Sequence, residues 1–197
     1  VANGDDAQLL YRQIKELGGI DILYNNAGVG STPLNLGVAN DKHFEAAAYE
    51  MNINYLGVIR LTNLFIEMLK SRKEAAIINT TSILSYVPSM FAPTYSATKA
   101  ALRFYTESLR KHLQILNSRV KVFELLPPLV ATDMTTGFDA KKMQPEDLVK
   151  ALIAGIKKDQ FTIRVGDTKS LYIFNRFFPK KAFSMFNPMK NARLLQP

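Results

Sequence analysis

Gly18-Gly19-Ile20-Asp21-Ile22-Leu23-Tyr24-Asn25-Asn26-Ala27-Gly28 is the stretch that decides the fold. The glycine pair stops what precedes it, and Ile20 to Tyr24 is a short, mostly apolar run of the kind a strand buried on both faces requires. Asn-Asn-Ala-Gly then ends the run in a turn. Upstream, Leu10, Ile14 and Leu17 recur at i, i+4 and i+7, so the glycines cap a helix whose N-cap is Asn3 or Asp5. A helix fed into a buried strand through a tight glycine turn is a unit of a parallel α/β sheet.

The same alternation continues downstream. A helical stretch from about Lys42 to Leu69 carries Phe44, Ala47, Met51, Ile59, Leu61 and Leu64, and residues 76–80 form the next strand. After a loop with Pro88 and Pro93, a helix from about Tyr95 to Leu116 shows an apolar side of Ala97, Ala101, Phe104, Leu109 and Leu113. Residues 120–126 make a third strand, stopped by Pro127-Pro128. A helix from Pro145 to Lys157 leads to a fourth strand near residues 161–165. Regular alternation predicts an α/β fold with a doubly wound parallel sheet in a single domain, 1–197. Residues 166–197 are read as a cap of one or two short helices, rich in aromatic and basic side chains including Lys190.

Composition narrows the chemistry. With 197 residues and 47% apolar content, one core is affordable and two large ones are not. No run of 18 or more apolar residues occurs, and no charged-then-apolar leader opens the chain, so a soluble, cytoplasmic protein is expected. The absence of cysteine removes disulfides, thiolate nucleophiles and cysteine-ligated metals. His43 and His112 lie far apart on helical segments, so no metal site is expected. Residues 140–197 hold 12 of the 25 basic but only 4 of the 17 acidic side chains. Without any base-reading motif that asymmetry does not indicate nucleic acid, and a solvated face accounts for it.

The chemistry-bearing residues follow the strands. Tyr95-Ser96-Ala97-Thr98-Lys99 sets a phenol and an ammonium four apart on one helix face, where the cation favours the phenolate and lowers the tyrosine pKa. Ser82, thirteen residues earlier, stands just past the second strand, where open parallel sheets hold their ligands. Asn25-Asn26-Ala27-Gly28 closes the first strand, and Asn54-Tyr55-Leu56-Gly57 lies inside the first long helix. Each motif alone has an ordinary reading: a surface helix, a strand-ending turn, a solvated polar residue.

Together and in this order they resemble the short-chain dehydrogenase/reductase family, over about residues 1–165. Leu126-Pro127-Pro128-Leu129-Val130-Ala131-Thr132 stands where that family has Pro-Gly-x-Val-x-Thr. The resemblance implies a Rossmann-like fold, NAD or NADP as cofactor, and hydride transfer to or from a small carbonyl or alcohol substrate. It implies Tyr95 as general acid, Lys99 on the nicotinamide ribose, Ser82 on the substrate carbonyl and Asn54 as holder of a proton-relay water. Asn25, Asn26, Ala27 and Gly28 would line the cofactor, with Val130 and Thr132 at the carboxamide. A homodimer or homotetramer through the outer faces of the two long helices is implied as well.

Two departures stand out. Pro128 replaces the family's glycine, fixing φ and deleting a backbone donor. The family's first βαβαβ half, with its glycine-rich phosphate loop, has no counterpart before Val1. The rival reading is therefore a non-catalytic, Rossmann-like binding or scaffold fragment. Ile163 to Lys169 and the aromatic, basic tail resemble the subgroup named for D-alanine esterification of lipoteichoic acid. For the tail itself a substrate lid or subunit contact is expected ahead of core capping, and membrane contact is not expected.

Because the family's strand order puts further strands beside Ile20–Tyr24, the chain is expected to be part of a longer polypeptide, its first strand being an uncovered edge alone. A stable, soluble 22.1 kDa species that unfolds cooperatively, by native mass measurement and denaturation, would contradict this.

Overall fold

The computed structural model describes residues 1–31, 35–137, 139–189 and 195; Lys190 of the predicted cap lies outside them. In chain order the elements are α1 (Gly4–Glu16), β1 (Ile22–Asn25), α2 (Lys42–Met51), a π-helical turn (Asn52–Leu56), α3 (Gly57–Lys70) and β2 (Ala75–Thr80). There follow α4 (Pro93–Ile115), β3 (Val120–Leu126), α5 (Pro145–Lys157), β4 (Thr162–Arg164), α6 (Thr168–Phe177) and α7 (Pro179–Phe186). The four strands are all parallel in the order β1-β2-β3-β4.

Alternating side chains of β2 and β3 build a core on each face. Ile77, Val120 and Val122 meet Ala7 of α1, Leu61, Phe65 and Leu69 of α3 and Leu113 of α4. Ile78, Phe123 and Leu125 meet Leu152 of α5 and Ile163 of β4 on the opposite face. The sheet is thus covered on both sides, as predicted.

The glycine turn works as the sequence suggests. Gly18 and Gly19 take φ of +94° and +90°, which side-chain-bearing residues rarely adopt. The turn is pinned by Arg72, whose guanidinium donates to the carbonyls of Gly18 and Ile20. Asn3 is the N-cap of α1, accepting from the backbone N–H of Asp5 and Asp6.

Several expectations need correction. β1 begins at Ile22 rather than Ile20, and only one face is covered: Leu23 and Asn25 are buried, while Ile22 and Tyr24 are exposed by 54% and 43%. The inward stripe of α1 is Ala7, Tyr11 and Ile14, and Leu17 points out. The stretch 42–69 is one path in which five residues widen into a π turn, and Phe44 is 80% exposed. On α4 the buried side is Thr98, Lys99, Leu102, Thr106 and Leu113, while Ala97 and Phe104 face outward. Of the expected stripes, Ile14 of α1 and Leu109 and Leu113 of α4 do pack on the core, while Leu10, Leu17, Ala97 and Phe104 lie on the outer side.

The core holds one ionisable surprise. Glu124, in the middle of β3, is fully buried, accepts from Thr81 Oγ1 at 2.9 Å and leaves its other oxygen without a partner among the described residues. Burial pushes its carboxyl up to about 7, against the lowering effect of the Thr81 hydrogen bond and Arg103. A carboxyl with a raised folded value binds its proton more tightly when folded, so stability falls as pH rises from the ordinary 4.5 to about 7 and is flat above. Glu124→Gln is expected to flatten that slope and raise the melting temperature at pH above 7, as read by thermal denaturation across pH. An unchanged slope would remove Glu124 from this role.

Candidate active site

The site lies where β1 and β2 end and α4 begins. Its centre is Lys99, only 3% exposed, whose Nζ donates to the backbone carbonyl of Thr80 at 2.9 Å. Nζ also lies 5.5 Å from the centroid of the Tyr95 ring, one turn back on α4. The approach is close because residue 28 is glycine: a Cβ there would stand 3.3 Å from Lys99 Nζ and 3.4 Å from Asn54 Oδ1.

Asn54 sits on the π turn and is completely buried. Its side chain pairs with one backbone unit twice: Val29 N–H donates to Oδ1 at 2.8 Å, and Nδ2 donates to Val29 O at 2.9 Å. Nδ2 also donates to Thr98 Oγ1 at 3.1 Å, and Thr98 Oγ1 donates to the Tyr95 carbonyl at 2.8 Å. Both amide protons are therefore committed. Asn54 clamps the loop after β1 onto α4, which keeps Gly28 against Lys99.

Glu50, four residues before Asn54, holds the same loop two residues further on. It is buried and accepts from Ser31 N–H at 2.6 Å. Sequence reasoning missed it, as it missed Thr80 and Thr98, because a lone glutamate on a helix has no signature of burial. Its i, i+4 relation to Asn54 was the one available hint.

Ser82 is buried at the N-cap of a 3₁₀ turn, Ile83–Ser85, and accepts from Leu84 N–H at 3.1 Å. Its hydroxyl also acts on the Tyr95 phenol, lowering its pKa. The larger effect on Tyr95 is burial, which with the nearby Glu50 charge pushes the phenol up to about 12. The sequence led us to expect the opposite direction. Desolvation wins, and burial also drives Lys99 down to about 8.

Asn54, Ser82, Tyr95, Lys99 and Gly28 are thus brought together, and the other predicted site residues are placed differently. Asn26 accepts from Thr80 Oγ1 at 3.2 Å, beside the lysine, and Ala27 is exposed. Asn25 turns inward and donates to Asn79 Oδ1 at 2.8 Å, so its side chain belongs to a buried polar chain that ends on Thr106. Val130 forms an isolated bridge with Met143 past the end of β3, and Thr132 caps a 3₁₀ turn there. Pro127 O, next to Pro128, accepts from Ile83 N–H at 3.1 Å and ties this loop to the one that carries Ser82. Among the described residues no cluster of potential metal ligands occurs.

Lys99, Tyr95 and Ser82 thus gather an amine, a phenol and a hydroxyl, three groups able to exchange or share protons, at the carboxyl rim of a parallel sheet. The family profile described as short chain dehydrogenase matches residues 1–143, and the chain belongs to that family. It is 28% identical over 198 residues to an uncharacterized oxidoreductase, DltE, of Bacillus subtilis, covering 97% of this chain and 77% of that protein. That match extends through the tail, in line with the subgroup resemblance. An uncharacterized oxidoreductase of Staphylococcus epidermidis is 30% identical over 155 residues, covering 77% of this chain and 64% of the relative. Among solved structures, a short chain dehydrogenase from Burkholderia cenocepacia in complex with NADP superposes with a TM-score of 0.80 at 27% identity, over all of this chain and 76% of that one.

Removing the Asn54 clamp leaves Val29 N–H and C=O without side-chain partners. Asn54→Ala is expected to cost about 1–3 kcal/mol. At about 2–4 °C per kcal/mol for a chain of this size, thermal denaturation should show a fall of several degrees. An unchanged melting temperature would contradict the clamp.

Proposed function

We propose that this chain carries the proton-transfer half of an NAD(P)-dependent oxidoreductase acting on a small carbonyl or alcohol substrate. One observation carries the reading: the buried Lys99 amine is fixed between Thr80 O and the Tyr95 ring, with Ser82 and Asn54 around it. The family, and the NADP in the Burkholderia cenocepacia structure, support NAD or NADP as cofactor. The residues fit the nicotinamide-ribose end of such a cofactor. Lys99 is a donor of the kind that binds ribose hydroxyls, and the missing side chain of Gly28 lets the loop after β1 lie directly against it. Asn26, Ala27, Val130 and Thr132 are the remaining candidate contacts.

When bound, the nicotinamide supplies or accepts the hydride. In reduction Tyr95 gives its phenolic proton to the carbonyl oxygen while Ser82 donates a hydrogen bond to the same oxygen. A phenol pushed up to about 12 stays protonated throughout the neutral range, which suits the acid role. The Lys99 ammonium steadies the phenolate left behind, and Asn54 fixes the loop that packs against Lys99. The exposed apolar side chains Tyr49 and Leu56 on the α2–α3 path and Phe104 on α4 support a homodimer or homotetramer through these helices.

Tyr95→Phe keeps the ring and removes the proton, so turnover is expected to fall by at least ~10²-fold. In the wild type, reduction should decline as pH rises through about 8, where Lys99 loses its charge. Unchanged turnover in the Phe variant would remove Tyr95 from the mechanism. Thermal stabilisation by NADPH or NADH is the companion measurement. No stabilisation by either would favour the non-catalytic scaffold.

A further inference from the structure

The C-terminal helices present a surface that the site does not use. α6 buries Thr168 and Leu171 and turns Lys169, Ile173, Arg176 and Phe177 outward, at spacings that share one face. At the junction with α7, Phe178 is also exposed, as are Lys181 and Met185 on α7. Phe177 and Met185 are each 68% exposed. Lys181 Nζ lies 5.5 Å from the Phe178 ring centroid, so cation and aromatic stand side by side rather than on separate faces.

Charge identifies the occupant. Residues 168–186, which make up α6 and α7, contain Lys169, Arg176, Lys180 and Lys181 and not one aspartate or glutamate. None of Lys169, Arg176, Lys180 and Lys181 takes part in an ion pair among the described residues. A second copy of this face would bring cation onto cation. A bilayer with anionic headgroups offers what the face lacks: negative charge for the rim and an acyl boundary for the phenylalanines. The helices are short, and no described helix is long and apolar enough to cross a membrane, so the contact is peripheral.

We propose that α6 and α7 dock this protein reversibly on an anionic membrane surface, with Phe177 and Phe178 entering the headgroup boundary and the lysines and arginines on the phosphates. This departs from the expectation of a lid or subunit contact, because the outward row is both apolar and uniformly cationic. A cleft of about 610 Å³ between Tyr86–Pro88 and α7 includes Lys180 and Phe183 in its walls.

The test is co-sedimentation of the chain with vesicles of phosphatidylcholine alone or mixed with phosphatidylglycerol, at low and high salt, and needs no cofactor or substrate. Binding is expected to the mixed vesicles only and to weaken with salt. Lys180→Glu with Lys181→Glu should weaken it by at least about tenfold, as should Phe177→Ser with Phe178→Ser. The chain has no tryptophan, so Phe178→Trp gives a single reporter whose emission should shift to the blue on mixed vesicles. Circular dichroism confirms that each variant is folded. Absence of binding by the folded wild type would overturn the proposal, as would binding indifferent to both double variants. Self-association that depends on Phe178, with no vesicle binding, would assign the face to a second copy instead.

Discussion

A lysine left only 3% exposed must be solvated by the protein itself, and that requirement organises the site. Thr80 supplies a carbonyl because it is the last residue of β2, where the sheet's hydrogen-bond ladder stops and a backbone oxygen is free to turn to a side chain. Gly28 supplies the space. Tyr95 supplies the ring edge of the pocket, one helical turn away on the same face of α4. Moving any one of these elements would leave the amine either unpartnered or in contact with bulk water, and in both cases its pKa would change.

The loop after β1 is held with unusual firmness for a connecting segment. Asn54 engages both polar groups of Val29, and Glu50 takes the N–H of Ser31. Both anchors come from one side of the α2–α3 path, where the π turn widens the helix at Asn54. π turns of this kind recur at functional positions because they redirect a side chain that a regular helix would aim elsewhere. The polar interior continues through Asn25, Asn79 and Thr106, which tie β1, β2 and α4 together beneath the rim. Asn25 thus supports the site from below, a structural part for a residue whose neighbour in sequence, Asn26, sits beside Thr80.

The outer surface divides by chemistry. Exposed apolar groups on α2–α3 and α4 are accompanied by both signs of charge, such as the Arg103–Glu107 pair, which suits contact with another protein subunit. On α6 and α7 the exposed apolar groups are accompanied by cations alone. Protein faces that pair with copies of themselves need self-complementarity, which a face of one sign of charge lacks.

The sequence by itself determined the kind and order of the elements, since period and punctuation are local: glycines at 18 and 19, prolines at 93, 127 and 145, and apolar runs between them. It also determined that Tyr95 and Lys99 share a helix face, which follows from 3.6 residues per turn. Tertiary structure alone decided that the inward side of α4 carries Thr98, Lys99 and Thr106, because polar residues on a helix show no sign of burial until the strands and loops that hydrogen-bond them are in place. It alone decided that Asn25 points inward, since a strand's two faces are assigned by packing. It decided the direction of the Tyr95 pKa as well: a neighbouring cation can be read from spacing, whereas desolvation depends on every group that closes over the phenol.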